Sequence, residues 1–212
     1  PDIIVSDIMM PVMNGIMMCK ILKEDVRTSH IPIILLTAKD SLQDKEEGYQ
    51  VGADSYLTKP FSATLLHSRI NNLLESRKRL TERFNTSTPH HNMDEKRALL
   101  AESLNKLDNE FIEKINQLIE ARLSSEKIDI GYLADNMCMS KSTLYRKMKA
   151  LTGLSTNEYV RKIKMQHAER LLLEGRYNIS EVAFRVGINS VVYFRQCFKE
   201  EFGVLPSEYL KQ

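Results

Sequence analysis

The 212-residue sequence predicts an α/β part followed by an all-α part. In the first eighty residues, short β-branched runs alternate with helical patterns, an order typical of a parallel sheet covered by helices. Between Gly131 and Tyr209, one helical module is written twice. That repetition predicts two similar helical units in tandem. A polar stretch at 81–93 separates the two parts.

Composition places the chain among globular proteins, with 42% hydrophobic and 27% charged residues. No apolar run approaches the roughly 20 residues that cross a bilayer, and no signal-peptide pattern is present. The three cysteines, Cys19, Cys138 and Cys197, lack disulfide or metal-ligand spacing. We expect a cytoplasmic location without membrane contact. Because the chain opens at Pro1 inside a strand-like run, we also expect a longer protein, one that could itself be anchored in the inner membrane.

Charge is distributed unevenly along the chain. Lys and Arg balance Asp and Glu at 10 against 10 in residues 1–80, and they number 6 against 9 in 81–126. In 127–212 they number 14 against 9, an excess of five positive charges. The repeated module therefore carries a modest excess of positive charge, which favours contacts with phosphates.

Three short strands are predicted in the first part. The run from Asp2 to Asp7 is β-branched and is followed by the turn signals Met10-Pro11 and Asn14-Gly15. Further strands are predicted at Ile31–Thr37 and Ser55–Thr58. Helices are predicted between and after the strands, at Ile16–Lys23, at Ser41–Val51 (stopped by Gly52) and at Ser62–Leu80.

Three polar side chains are expected at one edge of this sheet. Asp7 and Thr37 end the first two strands, and Lys59 follows the third. Because parallel strands bring their carboxyl ends to the same edge, these residues should lie close together. Ligands of such sheets bind beyond that edge.

The spacings D-x-x-M-P-x-x-x-G, L-L-T-A and K-P-F closely resemble the second half of a response-regulator receiver domain, over residues 1–80. The resemblance implies a flavodoxin-like parallel sheet whose first strands are missing here. It also implies that Asp7 is the phospho-acceptor, that Lys59 pairs with the phosphoryl oxygens and that Thr37 hydrogen-bonds one of them. Tyr56 would be the aromatic switch, and the Lys59-Pro60 bond would be cis.

The resemblance also implies Mg²⁺ in a complete receiver, held beside the acceptor by an acidic pair on the first strand. Asp7 and the backbone carbonyl of Met9 are too few oxygens for an octahedral cation without that pair. We therefore expect that this chain by itself neither binds Mg²⁺ tightly nor accepts phosphate. The missing strands would leave an open sheet edge at Ile3–Val5.

The connector is predicted as a linker over 81–93 and a helix over 94–107. A leucine-rich stripe runs through this region with steps of three and four. It could form a dimerisation helix. Alternatively, Asp108 caps a fresh helix, Asn109–Leu123, whose apolar face belongs to the core of the last domain, 108–212. The stripe contains Leu100, Leu104, Leu107, Phe111, Ile115 and Leu118.

The repeated module combines a small alanine, a short turn and a second amphipathic helix, the pattern of a helix-turn-helix DNA reader. In the second helix of the first copy, Leu144, Met148 and Leu151 should face the core. Phe194, Phe198 and Glu201 occupy the same phase in the second copy. Between the copies, Ser155-x-x-Glu158 predicts a capping box for a long helix ending at Gly175.

The faces opposite those core positions supply candidate DNA contacts. Arg and Gln can read guanine and adenine edges with two hydrogen bonds, and Lys suits phosphates. Taken singly, any of these residues could be solvated surface. The candidates are Lys141, Ser142, Thr143, Tyr145, Arg146 and Lys149 in the first copy, and Arg185, Ser190, Val191, Val192, Arg195, Gln196 and Lys199 in the second.

This layout resembles the AraC family of transcription regulators over about residues 106–212, most clearly in Ile179–Gly187 and in the ending Pro206-Ser207-Glu208-Tyr209. Three departures affect the reading face. Cys138 stands where the turn usually has Gly, at a cost of roughly 1 kcal/mol if the backbone is left-handed. Val191-Val192 replaces a more polar pair, which suggests a contact with a thymine methyl. Arg195-Gln196 shifts the long basic residue by one position.

Together the two resemblances imply the output end of a two-component system, and the order of the parts also resembles the tail of hybrid proteins that include a kinase. Phosphate on Asp7 would alter dimerisation and so engage the DNA readers. The expected partners are double-stranded DNA, a histidine kinase and a second copy of the chain. The alternative is a phosphorylation-independent DNA-binding or scaffold protein. No second catalytic constellation suggests an enzyme.

Overall fold

The computed structural model describes residues 1–38, 50–85, 105–124 and 128–210. These residues form two compact units. The first contains the described residues of 1–83 together with 105–108, and the second contains those of 84–104 and 109–212.

The sheet of the first unit has three parallel strands in the order β1-β2-β3. They are β1 (Ile4–Asp7), β2 (Ile33–Thr37) and β3 (Ser55–Thr58). Asp7 pairs with Leu36, and Thr37 pairs with Thr58, so all three strands end at the same edge. The predicted strands are therefore confirmed, two of them slightly shorter than expected.

Two helices of the first unit are described in full. Helix α1 (Gly15–Glu24) begins after Asn14, whose side chain accepts a hydrogen bond from the Met17 amide. Helix α2 (Ala63–Asn85) continues five residues beyond the predicted Leu80 and into the predicted linker. Most of the predicted helix Ser41–Val51 lies outside the described residues, but Gly52 has a φ of +87°, as a helix stop requires.

The second unit is helical throughout the residues that the structure describes. Its helices are α3 (Lys106–Glu120), α4 (Ile130–Asn136), α5 (Lys141–Thr152), α6 (Thr156–Leu173), α7 (Ile179–Arg185), α8 (Val191–Phe202) and α9 (Pro206–Tyr209). The predicted capping box starts α6: Ser155 accepts from the Glu158 amide, and Glu158 accepts from the Ser155 amide at 2.7 Å. Helix α6 packs against α5, α7 and α8 and is the central helix of the unit.

Helix α3 bears on the two interpretations of the leucine stripe. Phe111 and Ile115 are fully buried inside the unit, which favours core packing over a dimer seam at these positions. Leu100 and Leu104 lie outside the described residues. The prediction that Asp108 caps this helix is wrong, because Asn105 accepts from the Asp108 amide at 2.9 Å and Asp108 lies in the first turn.

Candidate functional sites

The sheet edge brings Asp7 and Lys59 together. Lys59 Nζ donates a hydrogen bond to Asp7 Oδ2, and Asp7 Oδ1 accepts from the Met9 amide at 3.2 Å. The bond from Lys59, followed by the Met9 amide, holds the pKa of Asp7 below its usual value. Asp7 is therefore an ionised carboxylate at neutral pH, and this state is the one that can act as a nucleophile.

Thr37 and Tyr56 lie inward from this pair. Thr37 is only 1% exposed, and its Oγ1 donates to the Ala38 carbonyl at 3.3 Å. Tyr56 is buried in the apolar cluster formed by the sheet and α1, beside residues such as Ile8 and Ile33. The aromatic ring therefore occupies an inward position next to the strand that carries Thr37.

The loop after β1 passes unusually close to the start of α1. The Gly15 amide donates to the Ile8 carbonyl at 2.9 Å, and a Cβ on Gly15 would lie 2.3 Å from the Asp7 carbonyl oxygen. Only glycine fits there, which explains physically why the motif ends in glycine. In the same loop, Val12 has a φ of +72° and an exposed side chain.

The donor set beside Asp7 does not fit a resident Mg²⁺. Mg²⁺ requires near-octahedral oxygen coordination, usually with one or two carboxylates. One Asp7 oxygen is paired with Lys59, and the other accepts from Met9. Among the described residues, no group of three or more His, Cys, Asp or Glu side chains is arranged to hold a metal ion.

The first copy of the repeated module forms α4, a turn and α5. Cys138 in the turn has a φ of +52°, so the backbone is left-handed and the expected cost of roughly 1 kcal/mol applies. Ser140 caps α5 by accepting from the Thr143 amide at 3.1 Å. The predicted inward residues of α5 are buried: Leu144, Met148 and Leu151. The candidate contacts Lys141, Ser142, Tyr145, Arg146 and Lys149 are exposed, and Thr143 is half-buried.

The second copy forms α7, a turn and α8. Gly187 in the turn has a φ of +66°, and Ser190 caps α8 by accepting from the Tyr193 amide. Val192 is 77% exposed, whereas Val191 is half-buried and packs on the core. Part of the Val191 side chain is thus used for packing, and its contact with DNA stays a prediction.

The remaining candidate DNA contacts of the second copy differ in whether their side chains contact other side chains of this protein. Arg195, Gln196 and Lys199 are exposed on the outward face of α8. The Arg185 guanidinium lies 3.9 Å from the centre of the Tyr177 ring, which fixes the side chain by a cation–π contact.

Buried lysines are features that periodicity did not reveal. Lys147 of α5 is fully buried, and its Nζ lies 4.8 Å from the centre of the Phe111 ring. Lys162 of α6 pairs with Glu201 at 3.4 Å, so Glu201 occupies its predicted inward phase as half of an ion pair. Lys164 donates to the Gly187 carbonyl at 3.2 Å and thereby holds the turn of the second copy.

Comparison with known families decides the identity of both units. The family model for the response regulator receiver domain matches residues 1–71, and one for a helix-turn-helix domain of the AraC type matches residues 133–212. The chain joins a response regulator receiver domain to an AraC-type helix-turn-helix domain. This combination is that of a DNA-binding regulator of the two-component type.

Curated relatives include one protein similar to the whole chain and several similar to the receiver part alone. A protein of Formosa agariphila named histidine kinase P4 is 36% identical over 209 residues, or 99% of this chain. The chain spans only 15% of the length of that relative. The heme response regulator HssR of Staphylococcus saprophyticus is 50% identical over 74 residues, which are 35% of this chain and 32% of that protein.

Among solved structures, the C-terminal domain of the response regulator AraT from Geobacillus stearothermophilus is 31% identical, with a TM-score of 0.44. That alignment covers 48% of this chain and 84% of the other. No helix in the described parts of the chain is long and apolar enough to span a membrane.

Proposed function

We propose that this chain binds a specific double-stranded DNA site through two readers, α5 and α8, placed in successive major grooves. The observation that carries the proposal is the repeated geometry: each reader is capped by a serine, anchored on the core by one face and polar on the other. Helix α6 joins them with 18 residues. Such a helix is about 27 Å long, comparable with the roughly 34 Å between successive major-groove faces.

The outward side chains divide by chemistry. Arg146 in the first reader, and Arg195 and Gln196 in the second, can make paired hydrogen bonds to guanine or adenine edges. Lys149 and Lys199 lie on the same faces and suit phosphates. The exposed Val192 suits a thymine methyl.

Control by phosphate is the second part of the proposal. An Asp7 carboxylate oxygen would attack the phosphorus of a phosphohistidine on a kinase, forming a P–O bond while the P–N bond breaks and the imidazole leaves. The acyl phosphate adds about −1.5 to −2 charges at the sheet edge. Lys59 would pair with the phosphoryl oxygens, and Thr37 would hydrogen-bond one of them. The Tyr56 side chain would change its rotamer. The output would be a change in self-association, with a homodimer presenting four readers.

One observation favours the alternative, a regulator that binds DNA without phosphate control. Lys59 already pairs with the Asp7 carboxylate, so the acceptor is held in place without a phosphoryl group. Replacing Asp7 by Asn separates the two functions. Unchanged promoter activation in the protein as it exists in the cell would favour phosphate independence.

The domain limits of the proposal are a receiver part at 1–80, a linker at 81–93, a connector at 94–107 and a DNA-binding domain at 108–212. Helix α2, which extends to Asn85, argues for moving the first boundary to about that residue. We propose a cytoplasmic site of action for these domains.

The first test is selection from random double-stranded DNA at two salt concentrations, followed by sequencing of the retained pool. We expect a motif of two segments about 10 base pairs apart, with affinity falling steeply in salt. Arg146→Ala should erase preference in one segment only, and Gln196→Ala in the other. If all three proteins retain the same unselected pool, the tandem-reader proposal is wrong.

A further inference from the structure

Gln196, a candidate base-reading side chain of α8, is held by a chain of contacts that reaches back to α6. Gln196 Nε2 donates to Glu200 Oε1 at 3.1 Å, one helical turn further along α8. The other oxygen of that carboxylate, Oε2, lies 3.7 Å from Arg161 on α6. Arg161 also interacts electrostatically with the Tyr193 side chain, at the start of α8.

The hydrogen-bond chemistry of this contact gives the Gln196 amide a direction. A carboxylate only accepts hydrogen bonds, so Glu200 can engage the NH₂ end of the amide and not its oxygen. A free glutamine can present either end after a half-turn of the amide. When Glu200 takes the N–H that points away from the amide oxygen, the second N–H and the oxygen stay available side by side. This donor–acceptor pair matches adenine N7 and N6 in the major groove.

Arg161 makes the arrangement more than a local pair on one helix. Glutamine and glutamate four residues apart on an exposed helix interact only weakly by themselves. Arg161 belongs to the central helix α6, and side chains of α6 also contact the turn of this copy, where Lys164 binds the Gly187 carbonyl. The carboxylate therefore has a contact partner outside α8, on the helix that also holds the turn.

The first reader lacks this device. The position that corresponds to Gln196 is Arg146, whose Nε donates to the Ser142 carbonyl at 3.3 Å. Ala150 stands where the second reader has Glu200, so no carboxylate is present one turn further on. The first reader therefore serves as an internal control for any experiment on the second.

We infer that Glu200, contacted by Arg161, is a positioning residue that fixes the side-chain amide of Gln196. The fixed amide then makes the second reader prefer adenine at one base pair of the second DNA segment. This inference rests on the proposed DNA-binding function. Glu200 touches no base itself. Its negative charge weakens binding to the phosphates of every DNA sequence alike. Its contribution is therefore sequence preference and not affinity.

The test compares wild-type protein with Glu200→Ala, Gln196→Ala and the double variant, using DNA selection and binding to single-base variants of the selected site. Glu200→Ala should reduce preference at one base pair of the second segment by roughly fivefold or more, with the first segment unchanged. In the Gln196→Ala background, Glu200→Ala should change no preference. Arg161→Met should give a smaller loss of base preference at the same base pair. Glu174→Ala, which removes an exposed acid elsewhere, should leave the base preference unchanged.

The outcomes separate the inference from the proposed function. If Gln196→Ala erases a base preference but Glu200→Ala changes affinity equally for all sites, DNA reading stands and the positioning role is wrong. An effect of Glu200→Ala that persists without Gln196 also overturns the inference. If the wild-type protein selects no second segment, the tandem-reader function fails and the inference fails with it.

NMR of the Gln196 side-chain amide gives a readout without DNA: Glu200→Ala should speed its reorientation.

Discussion

The Asp7–Lys59 pair sets the charge state at the proposed phospho-acceptor, and its pH dependence can be measured. Lys59, aided by the Met9 amide, lowers the pKa of Asp7 from its ordinary value of 3.8. The stability contributed by a carboxylate with a lowered pKa is present above its unfolded value and is lost as the pH falls through the lower folded value. That window lies at and below about pH 4.

We predict that Lys59→Met raises the pKa of Asp7 toward its ordinary value, because the strongest stabilising contact of the carboxylate is removed. NMR titration of the Asp7 carboxyl measures this directly. Lys23→Met is the matched control, since Lys23 pairs with Asp54 at 2.7 Å. An unchanged Asp7 titration in Lys59→Met would show that the Met9 amide and solvent, not Lys59, govern the charge.

Cys138 has a backbone conformation that favours glycine, and its replacement should stabilise the protein. We predict that Cys138→Gly raises the free energy of unfolding by about 1 kcal/mol, since φ is +52° and the side chain is exposed. Gly187→Ala at the matching turn should lower it by a similar amount. Urea denaturation followed by the helical circular dichroism signal tests both, and an unchanged midpoint for Cys138→Gly would contradict the prediction.

Residue-level features differed in how visible they were from sequence. The left-handed turn at Cys138 was predictable because the second copy shows glycine at the same position. The cis Lys59-Pro60 bond also agrees with the family resemblance. Lys147 and Lys164 were not predictable, because lysine is almost always exposed and only the packed helices reveal the Phe111 ring and the Gly187 carbonyl that receive them. The positive φ of Val12 had no signal either, since a β-branched residue is disfavoured there.

At the scale of elements, the presence and type of each helix and strand were predictable from the sequence. The residues at which they begin and end were less predictable. The three strands and the paired helices of each reader were expected from periodicity and turn signals. Helix α2 runs past its predicted end because residues 81–85 contain no glycine or proline, and polarity alone does not stop a helix. Helix α3 begins earlier than expected because Asn105 caps it, two residues before the stripe residue Leu107.

Helix α3 also offers a test of the two roles considered for the leucine stripe. Ile115 is completely buried within its own unit. We predict that Ile115→Ala lowers the free energy of unfolding by about 2–5 kcal/mol through loss of burial and creation of a cavity. The oligomeric state, measured by sedimentation velocity, should not change.

Glu113→Ala, at an exposed position of the same helix, is the control and should be close to neutral. The dimerisation interpretation would require the opposite result for Ile115→Ala. Dimers would dissociate while the unfolding free energy of the monomer stayed the same.

At the scale of the whole molecule, the two units divide the chemistry between them. The receiver part carries equal numbers of acidic and basic residues, while residues 127–212 carry five excess positive charges, 14 against 9. We therefore expect the electrostatic attraction to nucleic acid to come from residues 127–212, because the receiver part has no excess positive charge. A phosphoryl group on Asp7 would make the first unit net negative, and its repulsion from DNA would be felt mainly within a Debye length of about 8 Å at physiological salt.

The last prediction concerns phosphate acceptance by the 212-residue chain itself. Phosphoryl transfer needs the developing negative charge to be neutralised, commonly by Mg²⁺ held between carboxylates and the phosphoryl group. In the described residues, Lys59 is the cation that meets Asp7, and the oxygen donors for a tight Mg²⁺ site are too few. We therefore expect no tight Mg²⁺ binding and no efficient acyl phosphate formation with acetyl phosphate, and no stable beryllofluoride adduct. Titration calorimetry, intact-mass analysis and fluorine NMR measure the three, with a complete receiver domain as the reagent control and Asp7→Asn as the site control. An adduct that forms efficiently on this chain and disappears in Asp7→Asn would show that Lys59 and the loop after β1 suffice for the chemistry.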